Sequence, residues 1–100
     1  EAADRKRREA EERNARHRRT RELRAELDRA GVESASADEE LTSVTEQLAD
    51  PAVYADATRV RQLVERHNQL RDRADALAAE RRRLSDELAA AEADPALAAR

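Results

Sequence analysis

The stretch Leu48-Ala49-Asp50-Pro51-Ala52-Val53-Tyr54-Ala55-Asp56 decides the fold, because it separates two segments that are rich in helix-forming residues. Proline disfavours helical geometry in the residue before it and has no N–H, so Asp50-Pro51 predicts the end of one helix. The carboxylate of Asp56 can accept from the free N–H groups of a following first turn, so it predicts the start of the next helix. We therefore predict a turn over residues 50–56 between two helices, formed by Asp50, Pro51, Tyr54 and Asp56.

The composition excludes a thick globular core, because 43% of the 100 residues are charged and only 1% are aromatic. Such a chain is either disordered or a long coiled coil, and its many Ala, Leu, Glu and Arg residues favour the coiled coil. No run approaches the roughly 20 apolar residues that span a bilayer, and no signal peptide is recognisable. We expect a cytoplasmic protein and, because the first residue is Glu1, a segment of a larger one.

The segment after the turn has the clearest periodicity. Apolar residues recur in steps of three and four for more than four heptads, which predicts a coiled-coil seam on a helix over residues 57–93. His67 and Arg81 fall on the same face and are interpreted as polar residues that set the register. Asp94-Pro95 should end this helix and leave a tail over residues 94–100.

The segment before the turn reads as two helices, over residues 3–30 and 37–49. Gly31 interrupts the apolar face, and residues 31–38 (GVESASAD) are small and polar. Ser36 and Glu39 fit a capping box at a new helix start. The alternative is one helix with a kink at this position.

Charge favours a chain that folds back on itself. Residues 25–58 contain nine acids and one base, whereas residues 59–83 contain eight bases and four acids. Opposite charges along the flanks of a seam set partner and orientation. The predicted fold is therefore an all-α, antiparallel coiled-coil helical hairpin, with a homodimer of long helices as the alternative. Its predicted seam residues are Leu23, Leu27, Leu41, Val44, Leu48, Val60, Leu63, Leu70, Leu77, Leu84 and Leu88.

Residues 5–24 form a basic segment, with ten Lys and Arg against four Glu. Guanidinium groups match phosphate oxygens, so this segment is a candidate nucleic-acid-binding surface. The alternative is a solvated helix whose arginines pair with nearby acids. No aromatic residue is interleaved to stack on bases, which argues against sequence-specific binding of single strands. The candidate residues are Arg5, Lys6, Arg7, Arg8, Arg13, Arg16, Arg18, Arg19, Arg21 and Arg24.

The remaining chemistry-bearing residues predict no catalytic, cofactor-binding or metal site. One glycine and one lysine cannot build a phosphate-binding loop, and no nucleophile, base and orienting group fall together. His17 and His67 are too far apart in a hairpin to share a metal. Tyr54 is expected to pack on the end of the seam, against Leu48, Val60 or Val64, with contact to a partner as the alternative.

The order of these features resembles the C-terminal coiled-coil extension of ABC-F proteins, soluble ATP-binding-cassette ATPases that act on the ribosome. The resemblance covers roughly residues 5–88: the basic lead-in, the turn Leu-x-Asp-Pro-x-x-Tyr-x-Asp at residues 48–56, and the heptads that follow. The break at residues 31–38 and Arg82, where many relatives have tryptophan, depart from the family's pattern. The resemblance implies a non-catalytic module that binds ribosomal RNA or another structured nucleic acid, with the ATPase cassettes upstream.

A second family shares the Asp-Pro turn. The N-terminal helical domain of bacterial peptide chain release factors has a similar turn, a following helix with leucines seven apart (Leu63 and Leu70 here), and a later Asp-Pro such as Asp94-Pro95. That family usually lacks the long basic lead-in. A third interpretation is a structural coiled coil that binds another protein or a second copy of this chain.

Overall fold

A computed structural model describes residues 1–93, and nearly all of them are helical. Helix α1 spans Ala2–Ala49, a short 3₁₀ helix spans Pro51–Ala55, and helix α2 spans Ala57–Glu92. No strand occurs in this part of the chain. The predicted all-α class is confirmed. The predicted tail over residues 94–100, and the helix end at Asp94-Pro95, lie outside the described residues.

The chain divides into two compact units. Unit 2 is Ala30–Glu80, and unit 1 combines Glu1–Arg29 with the described residues from Arg81 onward. Each unit contains one part of α1 and one part of α2. The turn between the helices belongs to unit 2.

Unit 2 is an antiparallel helical hairpin. Arg59, Arg66 and Arg73 lie seven residues apart on α2, and their side chains contact residues that step back by seven along α1: Gln47, Glu40 and Glu33. Steps of seven return to the same side of a coiled coil, so these contacts follow one flank of the seam. The register is therefore constant from the turn to the far end of the unit.

The core of unit 2 is narrow and apolar. Val44, Leu63 and Leu70 form a buried cluster, and the half-buried Leu41, Leu48 and Val53 pack against it. Ala30, Ala37 and Leu77 are buried as well. The seam residues of α1 are small at Ala30 and Ala37 and larger at Leu41 and Val44, so small and large side chains share the space between the helices.

The turn satisfies its own backbone groups. The Asp50 carboxylate accepts from the Ala52 N–H at 3.0 Å, and the Asp56 carboxylate accepts from the Arg59 N–H at 3.0 Å. The Tyr54 hydroxyl donates to the carbonyl oxygen of Leu48 at 2.7 Å. That carbonyl is one of the last four of α1, which have no partner within the helix. The motif therefore caps the helix before it and the helix after it.

Unit 1 buries fewer residues. Leu23 and Leu84 are fully enclosed, with exposed fractions of 1% and 0%, and Thr20, one turn before Leu23 on the same face of α1, is buried too. The Thr20 hydroxyl donates to the Arg16 carbonyl oxygen one turn earlier at 3.0 Å, which satisfies its polar group. Arg19 of α1 and Glu87 of α2 form an ion pair at 3.0 Å.

The prediction of two helices, over residues 3–30 and 37–49, is wrong, because α1 continues through residues 31–38 without a break. Gly31 has no positive φ, and a Cβ built on it would meet nothing within 4 Å. A single glycine in a helix costs only about 1 kcal/mol relative to alanine, which packing of the neighbouring Ala30 and Ala37 can offset. Ser36 therefore caps no new helix; it lies in the interior of α1.

The seam of α1 runs through the same stretch. Residues at alternating steps of three and four, from Arg13 to Leu48, are all buried or half-buried. Across the stretch that we predicted to be broken, Ala30, Ser34 and Ala37 occupy the seam positions and carry it to Leu41. The seam was missed there because its residues are small or polar and give no apolar periodicity.

Candidate nucleic-acid interface

The ten basic residues of the basic segment all lie on α1, in unit 1. Eight are exposed, and Arg13 and Arg16 are half-buried. Successive residues of an α-helix are about 100° apart, so these side chains are distributed around the helix and do not form one stripe. The four consecutive residues Arg5 to Arg8 alone cover most of the circumference. The segment is therefore a positively charged rod.

Arg13 and Arg16 occupy seam positions, which the sequence reasoning did not assign to them. They continue the series of Thr20 and Leu23 toward the helix start, and the Arg16 Nε is buried with no hydrogen-bond partner among the described residues. Aliphatic arginine stems cover apolar surface in such positions, and at Arg16 part of the guanidinium group is buried as well. The signal was available as spacing: both residues lie three or four positions from the next seam residue.

Two of these arginines form ion pairs with carboxylates of α2. The Glu87 carboxylate is contacted by Arg19 at 3.0 Å and by Arg83, one turn earlier on α2, at 2.7 Å. The Glu92 carboxylate is 2.5 Å from Arg24. Arg19 is also 3.8 Å from Glu22 on its own helix. These contacts are the pairing with nearby acids that we weighed as an alternative, and they involve Arg19 and Arg24.

Most of the basic segment has no such partner. Apart from Arg19 and Arg24, only Arg7 has a carboxylate of residues 1–93 within 4.0 Å, namely Asp4 at 4.0 Å. The other seven basic side chains have none within that distance in the described part of the chain. Arg18 and Arg21 lie on the side of α1 that faces away from the seam. Their guanidinium groups are open to an anionic partner.

The predicted role of Tyr54 in apolar packing is wrong. Tyr54 is 58% exposed, and its hydroxyl donates to the Leu48 carbonyl oxygen. Asp50, Pro51 and Asp56 are exposed too. Half-buried Val53 contacts the core cluster at this position instead.

The predicted seam residues lie on the packed faces of the two helices. Leu23, Val44, Leu63, Leu70, Leu77 and Leu84 are buried, and Leu27, Leu41, Leu48, Val60 and Leu88 are half-buried. His67 is half-buried, whereas Arg81 is exposed. Thr20 and Ala37 are buried positions that the sequence reasoning did not include.

A groove in unit 2 has no unpaired charge on its walls. Its volume is about 450 Å³, and Glu33–Arg73 and Glu40–Arg66 ion pairs line it beside Ala37 and Leu70. Within residues 1–93, no group of three or more His, Cys, Asp or Glu side chains is placed to hold a metal ion, and neither α1 nor α2 contains a stretch of sufficient length and hydropathy to span a bilayer. The basic segment is the strongest candidate site of the described chain.

Comparison with known proteins gives no further assignment. No family model matches this chain, and no curated protein or solved structure matches it either.

Proposed function

We propose that this chain is a non-catalytic interaction module that binds structured RNA through the basic segment of α1. The observation that carries the proposal is the surplus of arginine and lysine side chains with no carboxylate of residues 1–93 within 4.0 Å. Phosphate oxygens are the complementary partners of guanidinium groups, and counterion release makes such binding favourable at low salt.

We also propose the family of the larger protein to which this chain belongs. The turn Leu48-x-Asp50-Pro51-x-x-Tyr54-x-Asp56 and the heptads of α2 resemble the C-terminal extension of ABC-F ATPases, and this resemblance supports the proposal that the chain is such an extension. In that role it acts in the cytoplasm as a monomeric hairpin and needs no cofactor of its own. Its partner is ribosomal RNA or another structured RNA.

A salt titration tests the proposal. Binding of the whole chain to a structured RNA, measured by fluorescence anisotropy, should weaken steeply as salt rises. The double variant Arg18→Gln/Arg21→Gln removes two charges that face away from the seam and should bind more weakly, with a salt slope that is shallower by about two. No detectable binding at low salt would refute RNA binding.

A matched variant controls for net charge. Arg61→Gln/Arg71→Gln removes two exposed arginines from the part of α2 that lies in unit 2, where residues 57–80 contain five bases and four acids. It changes the total charge by the same amount but leaves the basic segment intact. If both double variants lose the same affinity, the effect is general electrostatics and the basic segment is not the binding surface.

A further inference from the structure

Arg5, Lys6, Arg7 and Arg8 form a turn of positive charge near the start of α1. Every residue from Glu1 to Glu9 is exposed, and Ala10 is the first half-buried one. At about 100° per residue, Arg5 and Arg8 lie about 60° apart on one side of the helix, and Lys6 and Arg7 lie on the opposite side. From Arg5 to Arg8 the helix advances by only about 5 Å along its axis, so a single turn presents positive side chains on two opposite sides.

A flat row of phosphates cannot contact both sides of this turn. The long stems of Lys and Arg reach around part of a helix, but side chains that point in opposite directions need anions on opposite sides. We infer that this turn of α1 enters a groove of structured RNA, where phosphates on the two walls contact Arg5 and Arg8 on one side and Lys6 and Arg7 on the other. The inference rests on the proposed function and specifies the form of its partner.

The width of the helix limits which kind of RNA groove it can enter. An α-helix with its side chains is about 10–12 Å across. The deep groove of regular A-form RNA is narrow, and the opposite groove is shallow and wide. Neither places phosphates on both sides of a helix of this width. The RNA must therefore have a deep groove opened by an internal loop or a bulge.

The residues around the turn fit such an approach. Ala2 and Ala3, next to this turn, are small and add little bulk beside the four basic side chains. Residues 1–9 contain no aromatic side chain to stack on an unpaired base, so the binding energy must come from phosphates. The Arg7 guanidinium is 4.0 Å from Asp4, an exposed pair of the kind that is weak and easily exchanged for a phosphate contact.

Two double variants distinguish a groove from a flat surface. Arg5→Gln/Arg8→Gln and Lys6→Gln/Arg7→Gln each remove two charges, from opposite sides of the same turn. Bound to an RNA hairpin with an internal loop, both should lose roughly three- to tenfold in affinity near physiological salt, with salt slopes shallower by about two. The helical content of both variants, measured by circular dichroism, should match that of the unchanged chain.

The outcomes separate this inference from the proposed function. A loss confined to one of the two variants means docking on a flat surface and overturns the groove. Equal affinity for a fully paired stem of the same length overturns the opened groove, and tighter binding to duplex DNA of the same sequence overturns the assignment to RNA. If the Arg18→Gln/Arg21→Gln variant weakens binding while both variants at residues 5–8 bind normally, the groove fails and the proposed function stands. If the unchanged chain binds no RNA at low salt, the proposed function fails.

Discussion

Single residues of the turn do more than allow the chain to reverse. The carboxylates of Asp50 and Asp56 each accept a hydrogen bond from one backbone N–H, and the Tyr54 hydroxyl donates one to a carbonyl oxygen at the end of α1. The tyrosine is the only aromatic residue of the chain, yet its ring contributes little to the core. Its role here is that of a hydrogen-bond donor, placed six residues after the carbonyl that it caps.

Tyr54→Phe tests this role. The change removes the hydroxyl and keeps the ring, so we expect the free energy of unfolding to fall by about 0.5–1 kcal/mol, as for an exposed hydrogen bond. Urea unfolding followed by circular dichroism measures it. If the ring packed in the seam, Tyr54→Phe would be neutral and Tyr54→Ala strongly destabilising. That pair of results would contradict the capping role.

Gly31 tests whether α1 is continuous. Because its φ is not positive and a Cβ would meet nothing within 4 Å, Gly31→Ala should raise the free energy of unfolding by about 0.5–1 kcal/mol. Gly31→Pro should lower it by about 3 kcal/mol or more, because proline breaks an uninterrupted helix. Thermal and urea unfolding of both variants give the answer. A harmless proline together with a destabilising alanine would mean that the chain turns at this residue.

At the scale of the element, ion pairs between the two helices decide which arginines remain available to an anionic partner. Glu87 is half-buried and contacts both Arg19 of α1 and Arg83 of α2. If the proposed RNA partner binds Arg19, its phosphate must therefore displace a carboxylate. Exposed ion pairs of this kind contribute about 0.2–1 kcal/mol, so the competition is weak but measurable.

Glu87→Gln should strengthen RNA binding by about two- to fivefold and steepen its salt slope by about one, because Arg19 is released. Asp86→Asn is the control: Asp86 is the neighbouring acid on α2, is exposed, and forms no ion pair within residues 1–93. It removes the same charge. Identical effects of the two variants would show that Glu87 does not compete for Arg19. Anisotropy titrations over a salt series provide both numbers.

At the scale of the whole molecule, the burial of apolar residues is uneven. Unit 2 buries Ala30, Ala37, Val44, Leu63, Leu70 and Leu77, whereas the buried residues of unit 1 are Thr20, Leu23 and Leu84. Residues 1–9 bury nothing. Hydrophobic burial is the main favourable contribution to packing between helices, so local stability should follow this order.

Hydrogen exchange should show that order directly. Backbone amides around Val44, Leu63 and Leu70 should exchange most slowly, those around Leu23 and Leu84 faster, and those of residues 5–9 fastest. Mass spectrometry of the exchanged chain resolves these segments. Equal protection in all three would mean that the helices exchange as one cooperative unit despite their different burial. The addition of the internal-loop RNA should then slow exchange in residues 5–9.

Much of this protein could be predicted from sequence, because the relevant interactions are local. The turn at Asp50-Pro51, the start of α2 after Asp56 and the seam of α2 follow from proline stereochemistry, capping and heptad spacing. The basic segment could be read from composition alone. At Gly31 the same local reasoning failed, because packing of small residues outweighs a weak intrinsic preference.

Only the tertiary structure decided which groups meet. The pairing of Arg19 with Glu87 across the two helices depends on register and on how the chain folds back. Residues far apart in sequence become neighbours only after the helices have packed, and each exposed contact is too weak to dictate that packing. The sequence by itself therefore determined the helices and their charge, and the fold determined which charges remain available to a partner.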